Sequence, residues 1–320
     1  MYRRVPLPST KPDPLSVYRR LTPRDRLLMS WLAEHYLLST DQVGRALFTA
    51  RRTAQQRLTI LHRLQVLHRF AWAAADGTPE TSYLYTLGPI GLRRHPTAYA
   101  DPDNLGLKAP RSSIDRAERI VHSRRLHHLL GVNQFFVDLH AHTRTQPGSR
   151  LLRWWSEQHA TAAYSGTKRT PDGQRRIDVF PDGHGIWHAN GSTVGFFLEH
   201  DRDTEDLARV VGKLRGYENL ARYGGPRFPV LLWVPHQRRE TSLLRILHDV
   251  PTRMPVALAV HSDNPAGPIW ALTSDPLRRR HLHELPSDPG PDDHPDPPSE
   301  QWPDDDIDDG FGDAGEPADT

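Results

Sequence analysis

The chain of 320 residues is long enough for two small domains, and its complete lack of cysteine excludes a disulfide framework and a thiolate zinc site. It contains no run of about 18 apolar residues that would make a transmembrane helix, and Arg3 and Arg4 are followed by prolines and polar residues where a secretory signal needs an apolar core, which reads as a cytoplasmic protein with no membrane partner. The net charge of +2 conceals an asymmetry: residues 1–150 hold 23 Lys and Arg against 11 Asp and Glu, residues 151–285 hold 18 against 15, and residues 286–320 hold none against 13.

Residues 1–20 are proline-rich and basic with no apolar period, as in a flexible arm. Thr22, Pro23 and Asp25 then make a helix start, a hydroxyl cap with proline at the first helical position and an acid three residues on. Leu27, Leu28, Trp31, Leu32 and Leu38 give this first helix one buried stripe. Ser39 or Thr40 caps a short second helix with Val43, Ala46, Leu47 and Phe48 on its apolar face. A third helix over about 51–67 buries Ala54, Leu58, Leu61 and Leu64, and leaves Arg51, Arg52, Thr53, Gln55, Gln56 and Arg57 exposed near its start. Strand-like runs at 70–74 and 83–87 bracket the turn signal Asp76-Gly77-Thr78-Pro79. Three helices and a hairpin in that order make a winged helix-turn-helix over residues 21–95. Arg51, Arg52, Gln55 and Gln56 are then placed to read base edges of double-stranded DNA in the major groove, with Arg69 at the root of the wing. The plainer alternative is a solvated helix face, since arginine and glutamine are ordinary helix formers.

Residues 96–145 read as a linker followed by a long connecting helix from Ser112 or Ser113 to about His142. Its histidines, His122, His127, His128, His140 and His142, lack metal-ligand spacing, and nineteen histidines in the chain make chance clusters common. From Arg150 strands alternate with helices: strands at 151–155, 176–180, 184–188, 194–198, 228–234 and 256–260, helices at 204–223 and 238–248. The turn Pro181-Asp182-Gly183 joins 176–180 to 184–188 as a hairpin. Residues 146–285 are therefore a mixed α/β sheet domain, the chain as a whole is of the α+β class, and residues 286–320 form a disordered acidic tail.

Metal-assisted hydrolysis of a phosphodiester needs carboxylates to hold Mg²⁺ or Mn²⁺ and a cation for the attacking water or the developing charge. Asp178 on one strand, Glu199 at the end of the next and Lys213 on the following helix can meet at one sheet edge, with Asp201 or Glu157 adding a carboxylate. Each has an ordinary alternative: Asp178 bonded to Arg176, Lys213 a surface lysine, and Asp203-Thr204-Glu205-Asp206 a helix cap.

The order acid strand, acid strand, helix resembles the PD-(D/E)xK nuclease superfamily, of restriction-endonuclease-like fold. That resemblance implies Asp178 and Glu199 as metal ligands and Lys213 as a lysine moved from the strand to the next helix, because the position two after Glu199 holds Asp201. Asp182 carries the literal Pro-Asp dipeptide, but the glycine after it reads as a hairpin turn. Together with Leu-Leu-Gly-Val-Asn at 129–133, Trp-Trp-Ser-Glu at 154–157 and Phe-Phe-Leu-Glu-His-Asp at 196–201, the winged helix and this sheet resemble the replication-relaxation family of actinobacterial plasmids and mobile elements over roughly residues 20–260. The resemblance implies DNA processing in plasmid replication or transfer, with replication or transfer proteins as partners. A nuclease, a non-catalytic DNA-binding accessory protein and a transcriptional regulator are all compatible with it.

Overall fold

A computed structural model of the chain describes residues 2–73, 79–99, 110–170, 173–203, 206–248, 250–262 and 264–290. The N-terminal part runs β1 (Tyr2–Val5), α1 (Pro14–Arg19), α2 (Pro23–His35), β2 (Leu38–Ser39), α3 (Thr40–Leu47), α4 (Arg51–Arg63), β3 (Leu67–Ala73), β4 (Pro79–Leu87) and α5 (Pro89–Arg94). Two reciprocal caps start the helices: Thr22 with Asp25 on α2, and Ser39 with Gln42 on α3. Leu28, Leu32, Val43, Ala46, Leu58 and Leu61 close a core among α2, α3 and α4. The expected turn at 76–78 lies outside the described residues.

Two expectations for this part are corrected. Residues 1–20 are not an arm without regular structure. β1 pairs antiparallel with β3 and extends a sheet of order β1-β3-β4-β2, Asp13 caps α1, and the carbonyls of Pro6, Pro8 and Thr10 meet the side chains of His62 and Gln65. These are mostly backbone contacts, which leave no apolar period to read. Arg57 is not on the exposed face of α4 either. Its Nε donates to Asp25 Oδ1 at 2.9 Å and its Nη2 to the Arg20 carbonyl at 3.1 Å.

The expected connecting helix is two helices, α6 (Ser113–Val121) and α7 (Leu126–Thr145), broken at residues 122–125. α7 is core rather than linker: Phe135 and Phe136 are buried, and Phe136 stacks on Trp154 with ring centroids 5.3 Å apart. Asn133 Nδ2 donates to the carbonyls of His35 and Leu37 at 3.2 and 2.8 Å, which ties α7 to the end of α2. One hydrophobic cluster accordingly runs from Leu28 and Val43 through α7 to Phe196 and Trp270.

The remaining elements are β5 (Arg150–Ser156), α8 (Glu157–Tyr164), β6 (Gly166–Thr170), β7 (Gly173–Ile177), β8 (Gly183–Ala189), β9 (Ser192–His200), α9 (Leu207–Arg222), β10 (Val230–Val234), α10 (Gln237–His248), β11 (Val256–Val260), β12 (Trp270–Leu272) and β13 (Asp275–Arg280). They form a mixed seven-stranded sheet of order β13-β12-β11-β10-β9-β8-β5. β9, β10 and β11 are parallel, and the other neighbours are antiparallel. α7 covers one face, while α8, α9 and α10 cover the other through Tyr164, Leu214, Tyr217, Leu243 and Leu247. A strand buried on both faces is apolar throughout, as Val194–Leu198 is.

The hairpin expected between 176–180 and 184–188 does not form. β7 ends at Ile177 and pairs with β6 in a separate two-stranded ribbon, whereas β8 pairs with β9 and β5. Residues 286–290, expected with the disordered tail, are placed: Ser287 Oγ bonds the Gly195 backbone, and Asp288 bridges to Arg227. Residues 291–320 lie outside the described residues.

Arg57→Ala would leave Asp25, 2% exposed, without its counter-charge. It is expected to cost about 3 kcal/mol in denaturant unfolding, while Arg52→Ala on the solvent side of α4 changes stability by less than about 0.5 kcal/mol.

Candidate functional site

Alternation along β9 sends Phe196, Leu198 and His200 toward α7, and Phe197 and Glu199 toward α9. Glu199 is therefore a carboxyl in a position built for an apolar residue, and it is 4% exposed. Two side chains one turn apart on α9 reach it: Tyr217 O–H donates to Oε1 at 2.5 Å and Lys213 Nζ to Oε2 at 3.0 Å. Gly183 pairs with Leu198, which sets Asp182 at the same sheet end, one strand over from Glu199. The Asp182 carboxylate accepts from the His200 backbone N–H at 2.7 Å and bonds His128 Nε2 of α7 at 2.9 Å.

The two carboxyls titrate in opposite directions. Burial pushes Glu199 up to about 8, the negative Asp182 adds to this, and Lys213 and Tyr217 only partly offset it. Burial acts on Asp182 in the same sense, but the bond and charge of His128, the charge of Lys213 and the His200 N–H together hold it below the ordinary carboxylate range. Two neighbouring acids in a low dielectric do not both ionise, and here the environment leaves Asp182 charged and Glu199 protonated near neutrality. Burial, then the neighbouring His261 and His128, pull His200 down to about 3, so that ring is neutral.

The pair forms the floor of a cleft of about 380 Å³. Its mouth carries the exposed Arg124, Arg202, Arg209 and Phe180. Glu157, the first residue of α8, stands at the edge and is ion-paired with Arg125. Asp201 also borders the cleft, but its carboxylate is taken by Arg239 of α10 at 2.7 Å and by the Asp203 N–H at 2.7 Å. Lys213 is where it was expected, beside Glu199.

Asp178 is not there. It follows the end of β7, is exposed, and bonds Arg176 Nε at 2.9 Å. The acid that faces Glu199 is Asp182. Its literal Pro-Asp dipeptide was the available signal, and the Lys213-to-Tyr217 spacing of four was the signal for Tyr217. Nothing in the spacing of the histidines singles out His128. Among the described residues no group of three His, Asp or Glu side chains is arranged to hold a metal ion, so the site offers a divalent cation two carboxylates.

In the N-terminal part, Arg52 and Gln56 of α4 are exposed and Gln55 is partly buried. Arg51 pairs with Asp41 at 2.9 Å, and Arg69 lies with its guanidinium 4.7 Å over the Tyr83 ring.

The profile of the replication-relaxation family matches residues 29–230, from α2 into the start of β10. The chain belongs to the replication-relaxation family. Membership suggests a role in the replication of plasmids or other mobile elements, and the matched span contains both carboxyls, Lys213, Tyr217 and α4. Searches of curated proteins and of solved structures found no match to this replication-relaxation protein. No helix among its described residues is long and apolar enough to cross a membrane.

The folded state holds the Glu199 proton up to about pH 8, whereas the unfolded carboxyl loses it near 4.5. Between those values the folded state binds more protons, so this group's contribution to stability falls as pH rises. Buried histidines such as His35 and His140, whose pKa values burial lowers to about 4, tilt the profile the other way. The informative quantity is therefore a difference. In EDTA, Glu199→Gln is expected to gain stability relative to wild type steadily from pH 4.5 to 8 in denaturant melts, and to level off above.

Proposed function

We propose that this replication-relaxation protein is a metal-dependent DNA nuclease in which a winged helix holds duplex DNA and the sheet domain, of restriction-endonuclease-like type, cuts a strand. The observation that carries the reading is the convergence of Asp182, Glu199 and Lys213: the buried carboxyl of Glu199 on β9 and the largely covered one of Asp182 just before β8, with an ammonium 3.0 Å from Glu199. Asp182 and Glu199 would hold Mg²⁺ or Mn²⁺, which takes few protein carboxylates and keeps waters and phosphate oxygens for the rest. When bound, such an ion polarises the phosphate and lowers the pKa of a coordinated water. A carboxyl that keeps its proton because burial and the neighbouring Asp182 outweigh its one ammonium, as Glu199 does, is a group that an incoming cation would ionise. Lys213, then released from part of its pairing, steadies charge developing on the phosphorane oxygens. His128 keeps Asp182 aimed and charged.

The winged-helix reading rests on element order: α2, β2, α3, α4 and the β3–β4 hairpin, with β2 paired to β4. α4 is then the recognition helix, and Arg51, Arg52, Gln55 and Gln56 lie on its first turns. A non-catalytic DNA-binding accessory protein is the competing reading, favoured by the two-carboxylate rather than three-ligand site.

Incubating supercoiled plasmid with the purified protein and Mg²⁺ or Mn²⁺ is expected to yield nicked or linear product. Asp182→Asn and the Glu199→Ala/Lys213→Ala double variant are expected to give none, as is wild type in EDTA, while Asp178→Ala cuts normally. Equal mobility shifts from all proteins without any cutting would instead establish the accessory protein. In the same shift assay, Arg52→Ala/Gln56→Ala is expected to lose about 1–3 kcal/mol of preference for a selected duplex sequence over random sequence.

A further inference from the structure

The cleft changes character between floor and mouth. The floor holds the carboxyls of Glu199 and Asp182, whereas the exposed charges at the mouth, Arg124, Arg202 and Arg209, are all cationic. Among them stands Phe180, 59% exposed. Of the large apolar side chains that the described residues leave exposed, it alone is aromatic; the other phenylalanines of this region, Phe196, Phe197 and Phe228, are buried. Phe180 precedes Asp182 by two residues, so the ring lies within the same short loop as the carboxylate.

An exposed ring beside guanidinium groups is a platform for a nucleobase, with the backbone phosphates on the cations. A base in a duplex shows only its edge in a groove, because its faces are covered by its neighbours. The ring can therefore be used only by a base that has left the stack. The space agrees: a cleft of about 380 Å³ is large enough to take one base.

Resting on the nuclease reading of this cleft, we infer that it takes an unpaired DNA strand, with one base stacked on Phe180 and the flanking phosphates on Arg124, Arg202 and Arg209. Duplex DNA is left to α4, and the two surfaces together fit a junction between paired and unpaired DNA.

The test is binding of the full chain in EDTA, where nothing is cut, to a single-stranded oligonucleotide carrying 2-aminopurine and to the same sequence as a blunt duplex. Phe180→Ala is expected to weaken single-strand binding about tenfold, to abolish the quenching of 2-aminopurine, and to leave duplex affinity and the melting temperature unchanged, since the ring is exposed. Phe180→Trp is expected to keep both affinity and quenching. Single-strand affinity of Phe180→Ala equal to wild type, or equal losses on strand and duplex, would overturn the inference. That result beside a plasmid-cutting wild type leaves the nuclease reading standing, whereas Phe180-dependent strand binding with no cleavage in Mg²⁺ removes the nuclease reading and keeps the strand site.

Discussion

A sheet that is apolar along its central strands ends in the Glu199 carboxyl of β9 and, beside it, that of Asp182 just before β8, and most of what surrounds that end follows from the cost of placing them there. An unpaired charge in such a place costs several kcal/mol. Each carboxyl is therefore met by a partner from a covering helix, Glu199 by Lys213 and Tyr217 of α9 and Asp182 by His128 of α7, and Asp182 also accepts from the His200 N–H at the end of β9. The helices on opposite faces are thus fixed to one point by polar contacts as well as by apolar packing. His200 must pass under α7 for its N–H to reach Asp182, and a Cβ on Gly131 would come 2.3 Å from its ring. Glycine at the centre of Leu-Leu-Gly-Val-Asn is there for that approach.

The same helix makes the N-terminal part continuous with the sheet. Asn133 closes Leu-Leu-Gly-Val-Asn by bonding the carbonyls at the end of α2. The second segment, Trp-Trp-Ser-Glu, does the matching work from β5. Trp154 stacks on His35 at 3.9 Å, and Ser156 donates to Glu34 from its backbone N–H at 3.1 Å and its Oγ at 2.7 Å. Burial opposes the charge on Glu34, but His159, His35 and Ser156 outweigh it and pull the carboxyl down to about 2, so it is ionised at any ordinary pH. The end of α2 is consequently seated beside Glu157 and Asp182. Polar contacts from α7 and β5 thus tie the end of α2 to the elements that carry the cleft.

Much of this was legible in the residues. β11 was placed to the residue, and the capped starts of α2 and α3, the strand before Glu157 and the helix bearing Lys213 were all expected, because capping signals and buried apolar runs are local. What failed was non-local. β12 and β13 leave weak patterns, and residues 2–10 are held by a short ladder to β3 and by side chains of α4 and its end that meet their carbonyls, which sequence does not advertise. Gly183 after Asp182 reads as a turn in the sequence. A Cβ there would lie 2.8 Å from the Phe136 ring, so the glycine marks close approach of α7 to the sheet rather than chain reversal. The Arg-Ile-Asp-Val segment matches the expected acid strand, but β7 ends at Ile177 and belongs to the β6–β7 ribbon, and a local pattern does not tell which sheet a strand joins.

The departure at Asp201 has a physical account. Residues 199 and 201 share a face of the chain, so a lysine at 201 would reach the carboxyls from the strand itself. Here that place holds an acid whose charge is consumed by Arg239, both side chains being under 8% exposed, which fastens the start of α10 to the end of β9. With that position committed to joining helix and sheet, the ammonium beside Glu199 has to come from another element. α9 is the helix that crosses Glu199, and its residues 213 and 217 are the two that face it. An ammonium on a helix turn, unlike one on the strand, also presents a phenol one turn on, and it is Tyr217 that fixes the second oxygen of Glu199. Glu199 therefore has a donor on each oxygen and still keeps its proton, because Tyr217 and the cationic Lys213 do not outweigh burial beside the charged Asp182.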